Sequence, residues 1–221
     1  MVWGSIPTTV GANLASAEGQ AMMSVWDLRA RLYDVCEGSQ LRRGAAKARL
    51  FAEMQGQVLF LAVGTGVDIM RFPDGQEIIG IDISAEMLRR AETRRRAYHG
   101  HLVCALGDAE NLAFSDNSFD TVVSSCTMCS VPNPVRALNE LYRVLRPGGR
   151  LLMFEHVRSR SWVLGLALDF MTLWTRLLGT AMNRDTVASV LKAGFKIVRI
   201  ESVYLDIILS IYAVKPNTGE D

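Results

Sequence analysis

Apolar and polar positions along the chain follow two rhythms. Short apolar blocks of buried-strand length recur at Val58 to Val63, Ile78 to Ile83, His101 to Leu106, Phe119 to Ser124 and Leu151 to His156. Between them, apolar residues return every three or four positions, the spacing of a helix with one buried face. Strand and helix in repeating order predict a doubly wound α/β sheet with helices on both faces.

Local chemistry punctuates these blocks. Gly64-Thr65-Gly66 follows the first strand directly, and the short helix after it must stop at Phe72, because Pro73-Asp74-Gly75 is turn chemistry. Ser84 is placed to cap the next helix, Glu86 suits its positive end, and Met87, Leu88 and Ala91 form its inner stripe with the arginines outward. Asn133-Pro134 opens another helix with the stripe Leu138, Leu141 and Leu145, ended by Arg146-Pro147-Gly148-Gly149. Trp162 to Met182 is an apolar helical stretch that interrupts the sheet rhythm and predicts a small helical cap inserted at about 160–182. Asn183 is expected to cap a helix over Asp185 to Ala193, and Phe195 to Val203 with Asp206 to Val214 predict a closing antiparallel pair. Upstream, Trp26, Leu28, Leu32 and Tyr33 fall at near-helical spacing, and Leu41 to Met54 predicts a second helix. Residues 1–21 show no apolar period and are expected to be a mobile arm ahead of one domain at 22–221.

Composition narrows the function classes. A chain of 221 residues with 49% hydrophobic content suits one α/β domain. Its 24 basic and 23 acidic residues leave a net charge of +1, which gives no broad footprint for nucleic acid. Four cysteines make no disulfide framework and fit a reducing cytosol, and Cys126-x-x-Cys129 lacks the further ligands of a zinc site. Asp169 and Arg176 interrupt the best candidate for a spanning helix, and no secretion signal is expected at the N-terminus. A soluble, cytoplasmic protein without a metal is the expectation.

In open α/β sheets, ligands sit beyond the carboxyl ends of the strands, near the point where strand order reverses. That rule gathers Gly64, Asp82, Asp108 and Cys126 on one edge, with Asp82 placed to meet a ribose. His156 at the end of the fifth strand and Tyr33 or Asp34 in the N-terminal segment are the candidate bases. A strand-end histidine and an aromatic packing on its domain are the plain alternatives.

The motifs V-L-F-L-A-V-G-T-G, I-I-G-I-D-I-S-A-E-M-L, G-D-A-E-N-L-A-F, F-D-T-V-V-S-S and L-Y-R-V-L-R-P-G-G-R-L stand in this order. Together they resemble the class I S-adenosylmethionine-dependent methyltransferases, from Trp26 to Lys215. The resemblance implies a Rossmann-like, seven-stranded, mostly parallel sheet with an antiparallel C-terminal hairpin. It implies that Gly64 and Gly66, with Ala62 and Thr65 in the same loop, let the backbone approach the methionine part of S-adenosyl-L-methionine. Asp82 would accept from the ribose hydroxyls, Ile83 and Met87 would pack near the adenine, and Asp108 and Ala109 would meet the ring. Cys126 would line the methyl-transfer side. Phe60 stands where the family usually has an acid near the cofactor's amino group, and Ala62 where it has a glycine. Either cofactor binding is weaker, or another acceptor such as Asp68 serves that amino group.

Within the superfamily, C-T-M-C-S-V-P-N-P, E-H-V-R-S and M-N-R-D-T are similar to the phosphatidylethanolamine N-methyltransferase and thiol methyltransferase subgroup. Prenylquinone C-methyltransferases are more distant. The expected acceptor is a lipophilic small molecule, first a phospholipid headgroup amine, then a quinone carbon or a thiol. The apolar cap is expected to touch the membrane interface in a monomer or homodimer, its plain alternative being a core or dimer helix. A non-catalytic S-adenosylmethionine-binding protein is the alternative of another class.

Overall fold

The computed structural model describes residues 26, 27, 30, 41–176, 179–217 and 219. The predicted N-terminal arm, Tyr33 and Asp34 lie outside the described residues. Helix α1 (Leu41–Phe51) leads into β1 (Gln57–Leu61), then a 3-10 turn (Val67–Arg71), β2 (Glu77–Asp82), α2 (Ala85–Arg96) and β3 (His101–Leu106). After β4 (Phe119–Ser125) come α3 (Pro134–Val144), β5 (Leu145–His156), α4 (Trp162–Thr175), α5 (Thr186–Lys192), β6 (Lys196–Tyr204) and β7 (Ile208–Val214).

The seven strands order as β3-β2-β1-β4-β5-β7-β6. β1 to β5 run parallel, and β7 is antiparallel to both β5 and β6. Side chains alternate across β1, so Leu59 and Leu61 join one buried layer with Leu138 and Leu141 of α3 and Val190 of α5. Val58 and Phe60 face the other layer, formed with Leu50 and Phe51 of α1, Ala91 of α2 and Phe72. Each such fully buried side chain contributes roughly 1.5–3 kcal/mol. Strand order reverses between β1 and β4, which opens a crevice at their carboxyl ends.

Several boundaries differ from those read in the sequence. β1 stops at Leu61, because Ala62 turns into the left-handed region at φ 51°. The segment after Gly66 makes only a 3-10 turn, since the chain must reach Pro73 in extended geometry. Leu145 is extended and starts β5 instead of ending α3. The cap of α5 is Asp185, whose carboxylate accepts from Ala188 N–H, and not Asn183. Two of the arginines on α2 reach back to backbone carbonyls: Arg94 donates to Thr65 O and Arg95 to Leu102 O.

Candidate active site

The crevice at the switch point is a cavity whose first wall is the turn after β1. Gly64 sits at φ 58° and Gly66 at φ 82°. A Cβ on Gly66 would lie 2.8 Å from Ile69 Cδ1 and 3.1 Å from Ala91 Cβ, so Gly66 closes the turn against α2. On Gly64 the nearest atom would be 3.9 Å away, which leaves open space for a ligand to approach the backbone. Ala62 and Gly64 line the cavity.

Asp82 ends β2 on the opposite wall and is only 6% exposed. Its Oδ2 accepts Gly64 N–H at 2.7 Å and its Oδ1 accepts Ser84 N–H at 2.9 Å. One carboxylate therefore fixes both the glycine turn and the start of α2, and each oxygen keeps a lone pair for a hydroxyl. Burial lifts its pKa to about 6, against the lowering effect of those N–H groups; Asp27 adds to the rise. Ser84 Oγ accepts Met87 N–H at 3.1 Å, and its hydroxyl donates to the Asp27 carboxylate. Trp26, beside Asp27, lines the cavity.

The third wall comes from β3 and the loop after it. Asp108 and Ala109 line the cavity with Ile83 and Met87, and Asp108 Oδ1 accepts Glu110 N–H at 2.8 Å. This part combines a carboxylate with apolar surface, which suits a flat ring bearing an amino group.

The fourth wall follows β4. Ser125, Cys126, Thr127 and Ser130 to Pro132 line it, and Cys126 is left-handed at φ 54°. Glu155, fully buried, holds this loop: Oε1 accepts from Ser124 Oγ at 2.5 Å and Thr127 N at 3.1 Å, and Oε2 from Met128 N at 3.2 Å. Burial drives the Glu155 pKa up to about 7 despite these donors. The same burial pushes the Cys126 thiol well up, so it stays protonated and is a poor nucleophile.

Behind the wall, Lys47 Nζ donates to both oxygens of Asp68 at 3.0 and 2.9 Å, and Ser125 Oγ donates to Asp68 Oδ2 at 2.8 Å. Asp68 is thereby committed to a lysine and is not part of the cavity wall. Phe60 lies in the core, its ring 4.8 Å from that of Phe72 and 5.9 Å from that of Phe51. Position 60 is thus buried under α1 and does not face the cavity.

Of the residues singled out in the sequence, Ala62, Gly64, Asp82, Ile83, Met87, Asp108, Ala109 and Cys126 meet around one cavity. Thr65 is buried and, like Gly66, supports the turn from behind. His156 is not on the wall. Burial first, then Arg43 and Lys47, depress its pKa to about 4, so it cannot hold a proton at neutral pH. Sequence reasoning did not name Trp26, Ile81, Gly107, Ser125, Thr127 or Ser130 to Pro132 as site residues. The end-of-strand rule extended past Cys126 would have found the loop, whereas nothing local links Trp26 to Asp82.

The donor set fits S-adenosylmethionine: a carboxylate with spare lone pairs faces a glycine turn, and apolar walls with a second carboxylate lie beyond. A methyltransferase domain model matches residues 59–153. Human thiol S-methyltransferase TMT1B is 30% identical over 179 residues, which cover 74% of this chain and 72% of that protein. An arsenite methyltransferase of Halobacterium salinarum is 29% identical over 174 residues; the match covers 75% of this chain and 44% of that protein. A phosphatidylethanolamine N-methyltransferase of Cereibacter sphaeroides is 38% identical over 103 residues, 46% of this chain and 51% of its own length. The chain thus spans only about half the length of some of these relatives. In fold, an S-adenosylmethionine-dependent methyltransferase of Thermotoga maritima superposes with a TM-score of 0.66 at 22% identity, over 88% of this chain and 99% of that one. With the cavity, its donor set and these relatives together, the chain belongs to the S-adenosylmethionine-dependent methyltransferases.

Proposed function

We propose that this methyltransferase acts on a lipophilic acceptor, first a phospholipid headgroup amine, at the membrane surface. The observation that carries this reading is α4. At about 100° per residue, Trp162, Val163, Leu166, Phe170, Leu173 and Trp174 fall within one arc, which Met171 extends to about half the helix circumference. All are exposed, Trp162 by 76%, Phe170 by 67% and Trp174 by 66%. No charged side chain lies inside the arc; Asp169 falls just beyond its Trp162 edge, held by Arg158 at 2.8 Å and Asn183 at 3.0 Å.

Half a helix surface is wider than the stripe one helix or sheet face covers, but a fluid apolar phase wraps it. Tryptophans near both ends, with exposed Arg160 and Arg176 flanking them, suit the boundary between acyl chains and headgroups. Among the described residues no helix is long and apolar enough to cross a membrane. The chain from α4 returns to the cavity: Ala181 N–H donates to Cys129 O at 2.7 Å, beside Ser130 on the wall.

Bound S-adenosylmethionine supplies a sulfonium methyl group. On this reading Asp82 holds the ribose hydroxyls, and Asp108 with Ile83, Met87 and Ala109 holds the adenine. Ala62 and Gly64 flank the methionine part. The loop from Cys126 to Pro132 orients the acceptor, and Trp26 excludes water. The headgroup amine is an ammonium at neutral pH, so one proton would first leave to water; its lone pair would then take the sulfonium methyl group, leaving a neutral thioether and a methylammonium. On this reading the proton leaves before the amine enters the closed site, and His156, which stands off the wall, is given no base role. A reducing cytosol completes the reading.

Methyl-labelled cofactor offered with phosphatidylethanolamine vesicles, alkyl thiols and quinones in parallel tests it. Label is expected in the lipid, and flotation with the vesicles is expected to be lost when Phe170 and Trp174 are both changed to Glu. Label only in thiol or quinone would sink the amine reading, and flotation unaffected by the double change would sink the role of α4.

A further inference from the structure

A second depression adjoins the cavity, and the two share Pro132. Its walls carry Arg176 just beyond α4, Arg184, and Lys192 at the end of α5, facing the first turn of α3 at Asn133 to Val135. Three cations thus converge on a helix start, which itself carries partial positive charge. The acids nearby are occupied. Asp185 caps α5 through Ala188 N at 3.0 Å, and Glu110 accepts Asn133 N–H at 2.8 Å.

Arg184 is the most constrained member. Its Nη2 donates to Val131 O at 3.0 Å, while its buried Nε has no hydrogen-bond partner. Burial and the like charge of Arg176 lower its pKa, more than Cys129 and Glu110 raise it. Two guanidinium groups on one groove, near enough for one to depress the other, repel each other, and Asp185, the carboxylate that shares their wall, is turned to the start of α5. An anion bound between them removes that repulsion, and arginine forks match phosphate oxygens.

We infer that the groove bounded by Arg176, Arg184, Lys192 and the start of α3 is a phosphate subsite, which receives the phosphodiester of the headgroup whose amine enters the adjoining cavity. The inference rests on the proposed lipid-amine function and narrows it. In phosphoethanolamine only two carbons separate phosphate from amine, and here only the Pro132 wall separates groove from cavity.

Calorimetry on the full chain saturated with S-adenosylhomocysteine tests this, with glycerophosphoethanolamine, inorganic phosphate and ethanolamine as separate titrants. Arg176→Gln and Lys192→Gln are the variants, because Arg184 also supports the loop. Glycerophosphoethanolamine is expected to bind best and to weaken about tenfold in either variant, with S-adenosylhomocysteine affinity unchanged. Equal affinity in the variants, or ethanolamine binding as well as glycerophosphoethanolamine, would overturn the subsite. Inorganic phosphate binding as well as the glycerophosphodiester would overturn the headgroup assignment. Charge-sensitive binding without label transfer to lipid would keep the subsite and remove the amine as acceptor, so the two readings fail separately.

Discussion

The carboxyl edge of the sheet has two halves built on different principles. The cofactor half, at β1 to β3, relies on backbone groups and one acid, Asp82, whose hydrogen bonds tie the end of β2 to the turn after β1. The acceptor half, at β4, β5 and α4, draws, on our proposed reading, on a buried acid, Glu155, on an exposed apolar helix, and on cations from the end of α4, the loop before α5 and the end of α5. A turn and a strand end are fixed by neighbours within about twenty residues. A groove between α3, α4 and α5 exists only once the whole chain has packed. Specificity for the acceptor can thus vary while the cofactor site stays constant.

The largest effect expected is on the core beneath the cofactor half. Restoring at position 60 the acid that the family usually carries, by Phe60→Asp, removes a ring packed on Phe51 and Phe72 and buries a carboxyl in its place. A loss of at least about 4 kcal/mol is expected, seen as a drop of roughly 10 °C or more in Tm. A variant as stable as the parent would show that position 60 faces the cavity after all.

Asp82→Ala comes next. Removing hydrogen bonds to a charged acceptor, at about 1.5–3 kcal/mol each, should weaken cofactor binding by about 100-fold or more in calorimetry. The α4 double variant should leave that affinity unchanged, which sharpens the division between the halves. The parent should also lose cofactor affinity as pH falls below about 6. Asp82 is protonated there and can no longer accept from both hydroxyls, whereas above about 6 the affinity should be flat.

Glu155 supplies the corresponding test in the acceptor half. Its pKa rises from 4.5 to about 7 on folding, so between those values the native state binds a proton that the unfolded chain has released. Its contribution to stability is therefore complete at low pH and declines as pH rises through this window, by about 3 kcal/mol. Glu155→Gln removes that slope, and it leaves one of the Thr127 and Met128 N–H groups without an acceptor, at about 1–2 kcal/mol. Thermal unfolding should show the variant less stable than the parent at pH 5 but flatter, so that the two curves meet or cross by pH 8; parallel curves would deny Glu155 this role.

How legible each half was in the sequence follows from the same contrast. Gly64, Asp82, Ser84 and Met87 lie within one strand–turn–helix–strand unit, and their spacing was enough to place them together. Final strands and the cap stretch were legible as elements from their apolar runs. The boundary errors arose where one residue leaves the regular geometry for a tertiary reason, as at Ala62, or where two polar residues compete to cap a helix, as at Asn183 and Asp185. His156 looked like a base because its depressed pKa depends on burial under α1, which strand pattern does not reveal. The cation groove was illegible because Arg176, Arg184 and Lys192 form no motif until α3 is placed against them.

Ala62 gives the smallest and most local test. Alanine here occupies the left-handed region at φ 51°, where the family has glycine, and Cys126 does the same at φ 54° across the cavity. A Cβ in that conformation costs roughly 1–2 kcal/mol, so both walls of the cavity store strain that their surroundings must hold. Ala62→Gly should relieve the first of these, raising stability by up to about 1 kcal/mol less what the freer unfolded chain takes back. It should also let a ligand come nearer the backbone, improving cofactor affinity by a few-fold. Tighter binding with unchanged Tm would mean that steric access, not strain, is what alanine alters. A looser complex would mean that the methyl group of Ala62 is itself part of the binding surface, and that the cofactor half has been retuned to it.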